Sequence, residues 1–305
     1  MFFPILTALG ALAAIVFVLT PRGRSLLSRR FRSATRLRAI FIGLMILLIV
    51  VQLLELTLPH DHWMHELFHL VTLLAMVTLL FILFTARVRP TTYASDVTRT
   101  VLAVGAHPDD LEIACGGTLA KMADGGHHVH GLVLSDGQVG GDASVRPDEA
   151  RAGANFLELE SITVHAFPDT RLAEHDGDLV RAIEERIREI KPDVILTHSR
   201  NDHHQDHHAV HLATLRAGRR HQTILCFESP STTRNFNPNY FVNISEYLDA
   251  KVHAVSRHID QAGKPYMKPD KLRGIASFRG SQAKIDVAEG FEIVRALDDS
   301  LWSVK

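Results

Sequence analysis

Apolar positions are spread unevenly along the chain. Three almost continuous apolar runs, Phe2 to Thr20, Ala39 to Thr57 and Leu67 to Ala86, fill most of the first 86 residues. Each approaches the ~20 residues that a helix needs to cross ~30 Å of hydrocarbon. Past residue 99 the pattern changes to short apolar runs alternating with amphipathic stretches. Strands are expected at Val101 to Ala106, His130 to Leu134, Ile162 to Ala166, Val194 to Thr197 and Ile224 to Phe227. Helices are expected near Glu112 to Asp124, Pro147 to Leu159, Asp178 to Ile190 and Asp206 to Arg219. That rhythm predicts α/β architecture, a mostly parallel sheet flanked by helices. After residue 229 the rhythm breaks. "SPSTTRNFNPNY" reads as loop, 245–262 and 269–288 as helical, and Phe291 to Leu297 as a last strand or helix.

Charge divides the chain at the same place. Of its 33 Lys+Arg and 34 Asp+Glu, nine and four fall in residues 1–98, leaving 24 against 30 beyond. Seven arginines and no acid lie in "PRGRSLLSRRFRSATRLR", between the first two apolar runs, and Arg87 and Arg89 follow the third. The positive-inside rule puts both segments in the cytoplasm, with the His60 to Glu66 loop outside and the tail domain inside. Met1-Phe2-Phe3-Pro4 lacks the basic start of a secretory signal, so the first run reads as a retained anchor. The expected domains are a transmembrane region of about three helices (1–86, with spans 2–20, 39–57 and 67–86), a polar linker (87–99) and a soluble domain (100–305). The mildly acidic tail argues against a nucleic-acid surface. Two cysteines, Cys115 and Cys226, make no disulfide framework and read as small core residues.

In sheets of this kind ligands bind beyond the carboxyl ends of the strands. The first strand runs into His107-Pro108-Asp109-Asp110, and the fourth into His198 and "NDHHQDHH". Two groups of metal-competent side chains, nearly a hundred residues apart, thus meet on one rim. A hydrolytic zinc ion takes about three His or carboxylate ligands and leaves a position open. His107 and Asp110 supply two from a tight turn, the fourth loop supplies the third, and Asp109 is placed to take a proton from the attacking water. Plainer readings compete: Asp109 or Asp110 as a helix cap, and the histidines at 203, 204, 207, 208 and 211 as a solvated helix face. Gly116-Gly117 is no dinucleotide fingerprint, because G-x-G-x-x-G is absent.

"AHPDDLEIACGGTLA" together with "HHQDHHAV" resembles the LmbE-like, or PIG-L, family of zinc-dependent N-deacetylases. These remove acetyl from N-acetylglucosamine-type groups on diverse carriers. "SDGQVGG", "RPDEARAGANFL", "FPDTRL" and "AEGFEIVRAL" extend the likeness over roughly residues 99–297. The resemblance implies a Rossmann-like sheet and zinc ligands His107, Asp110 and His207, with Fe²⁺ suited to the same donors. It implies Asp109 as general base and a protonated His204 as oxyanion stabiliser or acid. Asp206 would orient its neighbours, and Arg146 would bind substrate. The chain departs from the family's His-Pro-Asp-His at His204-Gln205-Asp206-His207, which leaves His203 and His208 as rival ligands.

A second metal motif sits in the membrane region. "HELFH", His65 to His69, matches H-E-x-x-H, in which histidines one turn apart bind zinc and the glutamate is the base. It supports two alternatives, an integral-membrane metalloprotease or a non-catalytic metal-binding membrane protein. Glu55 is the nearest candidate for a third ligand. Trp63 makes the bland reading an interfacial helix start. A membrane anchor points by analogy to a lipid-linked N-acetyl sugar as the deacetylase's substrate, and oligomeric state is not fixed by the sequence.

Overall fold

The computed structural model describes residues 2–20, 23–24, 27, 34–57, 64–85 and 97–297. The chain divides into two compact units, Met1–Pro90 and Thr91–Lys305. Residues 87–96 of the expected linker and His60 to Trp63 of the expected loop lie outside the described residues, while Met64 to Glu66 are helical.

The first unit holds three helices, α1 (Phe2–Leu19), α2 (Ala34–Glu55) and α3 (Met64–Thr85). Helix α2 packs against both of the others. Small and flexible side chains make the seam: Ala11, Met45, Leu48 and Ala75. One polar bridge crosses it, Gln52 Nε2 donating to Thr72 Oγ1 at 3.0 Å. The outward faces stay apolar, with Leu73, Leu80 and Phe81 exposed. Two segments, Leu37–Glu55 and Met64–Phe81, are long and apolar enough to span a bilayer, and only 28% and 11% of their windows are buried. The first expected span, 2–20, falls on α1, Phe2–Leu19.

The second unit is built on a seven-stranded sheet of order β3-β2-β1-β4-β5-β7-β6. The strands are β1 (Thr100–Gly105), β2 (His128–Ser135), β3 (Ser161–Phe167), β4 (Val194–His198), β5 (Ile224–Phe227), β6 (Tyr240–Asn243) and β7 (Ala288–Arg295). The first five pair in parallel, and β7 pairs antiparallel with both β5 and β6. The alternating pleat sends Val101 and Ala103 into one buried layer and Leu102 and Val104 into the other. Helices α4 (Asp110–Asp124), α5 (Arg146–Phe156) and α8 (Leu248–Val255) contribute to the first layer. Helices α6 (Asp176–Ile190) and α7 (Gln205–Ala217) form the second, and α9 (Pro269–Ala283) packs beside β7. Both cysteines are free and buried, and burial pushes their thiols up.

Two features of this sheet position chemistry. The chain winds outward from β1 to β3, then returns to lay β4 on the other side of β1, so the crevice of the fold lies between the ends of β1 and β4. Helix α4 is also interrupted: Cys115 has φ −134°, ψ 17°. The two amides that the break exposes, Gly117 N and Thr118 N, donate at 3.0 and 2.7 Å to the carboxylate of Glu289 on β7. Lys251 from α8 closes this buried group, its Nζ 2.6 Å from Glu289 Oε1 and 3.3 Å from Ala114 O. Gly117 is required for close approach, because a Cβ there would come within 2.9 Å of Ile244.

Candidate active site

The turn from β1 into α4 is fixed by its own last residue. Asp110 Oδ2 accepts hydrogen bonds from Ala106 N at 3.0 Å and His107 N at 2.7 Å, folding the carboxylate back beneath the strand end. Asp109 is then held at φ 147°, a region that L-residues avoid. Such strain costs ~1–3 kcal/mol and persists only where surroundings over-determine it. Here it presents the Asp109 carboxylate to a cleft of about 270 Å³. His107, Asp110, Arg146, His204, His207 and Tyr266 are among the residues lining that cleft.

His107 and His207 each have one nitrogen tied down by carboxylates. His107 Nε2 lies 3.1 Å from Asp169 Oδ1 and 3.2 Å from Asp206 Oδ2. His207 Nδ1 lies 2.9 Å from Asp202 Oδ2. With those nitrogens as donors, the free lone pairs are on His107 Nδ1 and His207 Nε2, and these face each other at 3.3 Å. Asp110 completes the triangle, 3.5 Å from His107 Nδ1 and 3.4 Å from His207 Nε2. Three acceptors converging so closely repel one another unless positive charge lies between them. A tetrahedral ion with bonds of ~2.0–2.1 Å spaces its ligands by roughly 3.3–3.4 Å, so this donor set fits zinc.

Titration behaviour tells the same story. Burial alone would lower the His107 pKa, yet hydrogen bonds to Asp110, Asp169 and Asp206 raise it well above the usual imidazole value. His207 is driven to about 9, burial being outweighed by Asp110 and Asp202. Burial would raise the Asp110 carboxyl, but His207 and His198 hold it well below the ordinary range. The cluster thus recruits protons where a cation would sit. Asp109 behaves differently: burial, then the charge of Asp110, raise it to about 6 against the opposing pull of Arg146 and His258.

The remaining expected residues take defined places. Asp206 is fully buried and accepts from Thr170 N at 2.6 Å and Leu172 N at 3.1 Å, so it anchors the loop after β3 while orienting His107. His204 caps α7, its Nδ1 accepting from Asp206 N at 3.3 Å. That leaves Nε2 as the protonated nitrogen. Burial and the charges of His207 and His107 lower its pKa, which disfavours the expected protonated form. Arg146 lines the cleft, but its Nη atoms donate to Gly137 O at 2.6 Å and Pro108 O at 3.3 Å and lie 3.5 Å from Asp109. From the cleft wall it braces the Asp109 turn. His203 and His208 are exposed and outside the cluster. His198, expected on the rim at the end of the fourth strand, enters the cluster fully buried, 3.1 Å from Asp110 Oδ2 and stacked 3.9 Å from the His207 ring. Further His and carboxylate groupings are close enough to share an ion, namely His107 with His204 and His207, Asp110 with His198 and His207, and His107 with Asp169 and Asp206.

A family model described as PIG-L, GlcNAc-PI de-N-acetylase, matches residues 102–218. Over 166 residues the chain is 37% identical to the uncharacterized deacetylase YaiS of Escherichia coli (strain K12), covering 52% of this chain and 89% of that protein. The chain belongs to the PIG-L, or LmbE-like, deacetylase family. PIG-L membership is seen again in 30% identity over 228 residues to the diacetylchitobiose deacetylase of Thermococcus kodakarensis, across 64% of this chain and 83% of that protein. The fold matches the N,N'-diacetylchitobiose deacetylase of Pyrococcus horikoshii with a TM-score of 0.56 at 22% identity, over 69% of this chain and 92% of that one. It also matches GalB, the 4-carboxy-2-hydroxymuconate hydratase of Pseudomonas putida KT2440, with a TM-score of 0.57 at 24% identity, over 66% and 98%. A hydratase on the same scaffold shows that the fold does not itself dictate deacetylation.

Proposed function

We propose that this PIG-L protein is a membrane-anchored, metal-dependent N-deacetylase acting on an N-acetylglucosamine-type sugar conjugate, with a lipid-linked form as the favoured carrier. The observation that carries the reading is the convergence of His107 Nδ1, Asp110 and His207 Nε2 within 3.5 Å of one another beside Asp109. The substrate class rests on named relatives, among them a probable N-acetyl-alpha-D-glucosaminyl L-malate deacetylase of Bacillus cereus, 29% identical over 84% of its length.

A divalent ion held by His107, Asp110 and His207, zinc or Fe²⁺, would supply Lewis acidity to the acetamide carbonyl and lower the pKa of the attacking water. Asp109 takes that water's proton as its oxygen attacks the carbonyl carbon. Arg146 keeps Asp109 aimed, and burial keeps its carboxyl basic enough to accept the proton and release it again. The neutral Nε2–H of His204 donates to the carbonyl oxygen as negative charge builds there. When the C–N bond breaks, Asp109 returns the proton to the leaving nitrogen, giving acetate and a free amine. Asp206, Asp169 and Asp202 hold the two imidazoles in the required tautomers, a role worth ~10–100-fold in metal affinity at such sites.

Helices α2 and α3, apolar on their exposed faces, support the anchor, and the arginines preceding α2 support a cytoplasmic catalytic domain. Metal analysis of the purified chain, with acetate release from N-acetylglucosamine conjugates, tests the chemistry. Activity that survives complete metal removal overturns it. A cysteine at Ser33, after replacement of Cys115 and Cys226, tests the orientation: it should resist an impermeant thiol reagent until the cells are lysed.

A further inference from the structure

The hairpin of α2 and α3 brings a buried carboxylate against two histidines. Glu55, at the end of α2, is only 6% exposed. Its Oε1 lies 3.5 Å from His65 Nδ1 and 3.8 Å from His69 Nε2, both on the first two turns of α3. Its Oε2 is buried and has no hydrogen-bond partner among the described residues. A buried carboxyl oxygen left without a partner is costly unless a donor or a cation reaches it. The arrangement is built into the helices. Residues four apart share one helical face, so His65 and His69 both meet Glu55. The Gln52–Thr72 hydrogen bond, one turn further along both helices, fixes the register that brings them there.

We propose that Glu55, His65 and His69 form a second divalent-cation site, selective for a transition ion of the zinc class. Two imidazoles and one carboxylate are a donor set that zinc takes with a position left open, and ligand atoms around such an ion lie roughly 3.3–3.4 Å apart. The Glu55 distances are close to that spacing, and the exposed ring of His69 gives the ion a way in. The glutamate inside the H-E-x-x-H motif, Glu66, is exposed, and the carboxylate that reaches the rings comes from the preceding helix. The site lies in a different unit of the chain from His107, Asp110 and His207, and it stands whether or not those residues hold a metal.

The test uses the full chain in detergent, without a histidine tag, in a His107→Ala/His207→Ala background that disables the deacetylase site. After chelation and reloading with Zn²⁺, this protein should retain about one zinc per chain, held by three protein ligands with the fourth position open. Adding Glu55→Gln, which keeps the shape and removes the charge, should abolish that zinc. A separate variant guards against misfolding: His69→Cys loaded with Co²⁺ should gain a thiolate-to-cobalt charge-transfer band that its parent lacks. No zinc in the double variant, zinc that persists after Glu55→Gln, or a Co²⁺-loaded His69→Cys protein without the band each overturns the site.

Discussion

Two groups of buried charge flank helix α4, and they are built on opposite plans. At its kink, Glu289 receives Lys251 and two backbone amides, and acid, base and donors are matched. At its N-terminus, Asp109, Asp110, Asp169, Asp202 and Asp206 crowd around histidines, and among the described residues Arg146 is the one permanent cation paired with them. The matched group can only hold helix and sheet together. The unmatched one carries excess negative charge, lifts the pKa values of His107 and His207, and opens to a cleft. Satisfied charge makes a joint, and unsatisfied charge makes a site that asks for a cation.

Breaking the unmatched group should have the largest effect. Asp110→Ala or His207→Ala should remove most of the metal and essentially all turnover, read by metal analysis and acetate release. Asp109→Asn should keep the metal and lose ~10²-fold or more in kcat, the range for a general base. The pH profile sharpens this. Asp109 works as the anion, so activity should rise with pH along an acid limb at or below about 6, because a bound cation adds to the pull of Arg146. A limb that survives Asp109→Asn would assign it to another group.

The matched group should answer in stability instead. Lys251→Met leaves Glu289 buried and unpaired, which costs ~3–5 kcal/mol in denaturant unfolding. Glu289→Leu added to it should recover part of that loss but not all, since Gly117 N and Thr118 N lose their acceptor. The smallest effect belongs to His203→Ala/His208→Ala, within ~0.5 kcal/mol in stability and without loss of activity. A large loss there would return these two histidines to the list of ligands.

The parallel half of the sheet was legible because each of its strands is a compact apolar run between turns. Strand β6 was not, since Tyr240–Asn243 is four residues at the sheet edge, next to "NFNPN", and its partner β7 lies some fifty residues on. Helix 245–262 was overdrawn, because only Leu248–Val255 is α-helical. The rim residues His107, Asp109, Asp110, His204 and His207 were readable from two motifs. Asp169 and Asp202 were not, although "FPDTRL" and "NDHH" contain them, since a carboxylate that orients a ligand looks in sequence like any loop aspartate. His198 was visible as a strand end, but its stacking on His207 depends on how α7 folds back. The Lys251–Glu289 pair has no local signature.

Glu289 stands 172 residues beyond the amide it caps, on a strand made near the end of the chain. At ~5–20 residues per second of synthesis, the second half of α4 waits roughly 10–30 s for its acceptor. Until then Gly117 N and Thr118 N stay hydrated, and the turn carrying Asp109 and Asp110 rests on an unfinished helix. Nascent chains that stop short of β7 would therefore bear every rim residue and still lack a rigid rim. The last strand acts as a latch on assembly, and a ribosome-bound series of lengthening chains should gain protease resistance in α4 only once Glu289 has emerged.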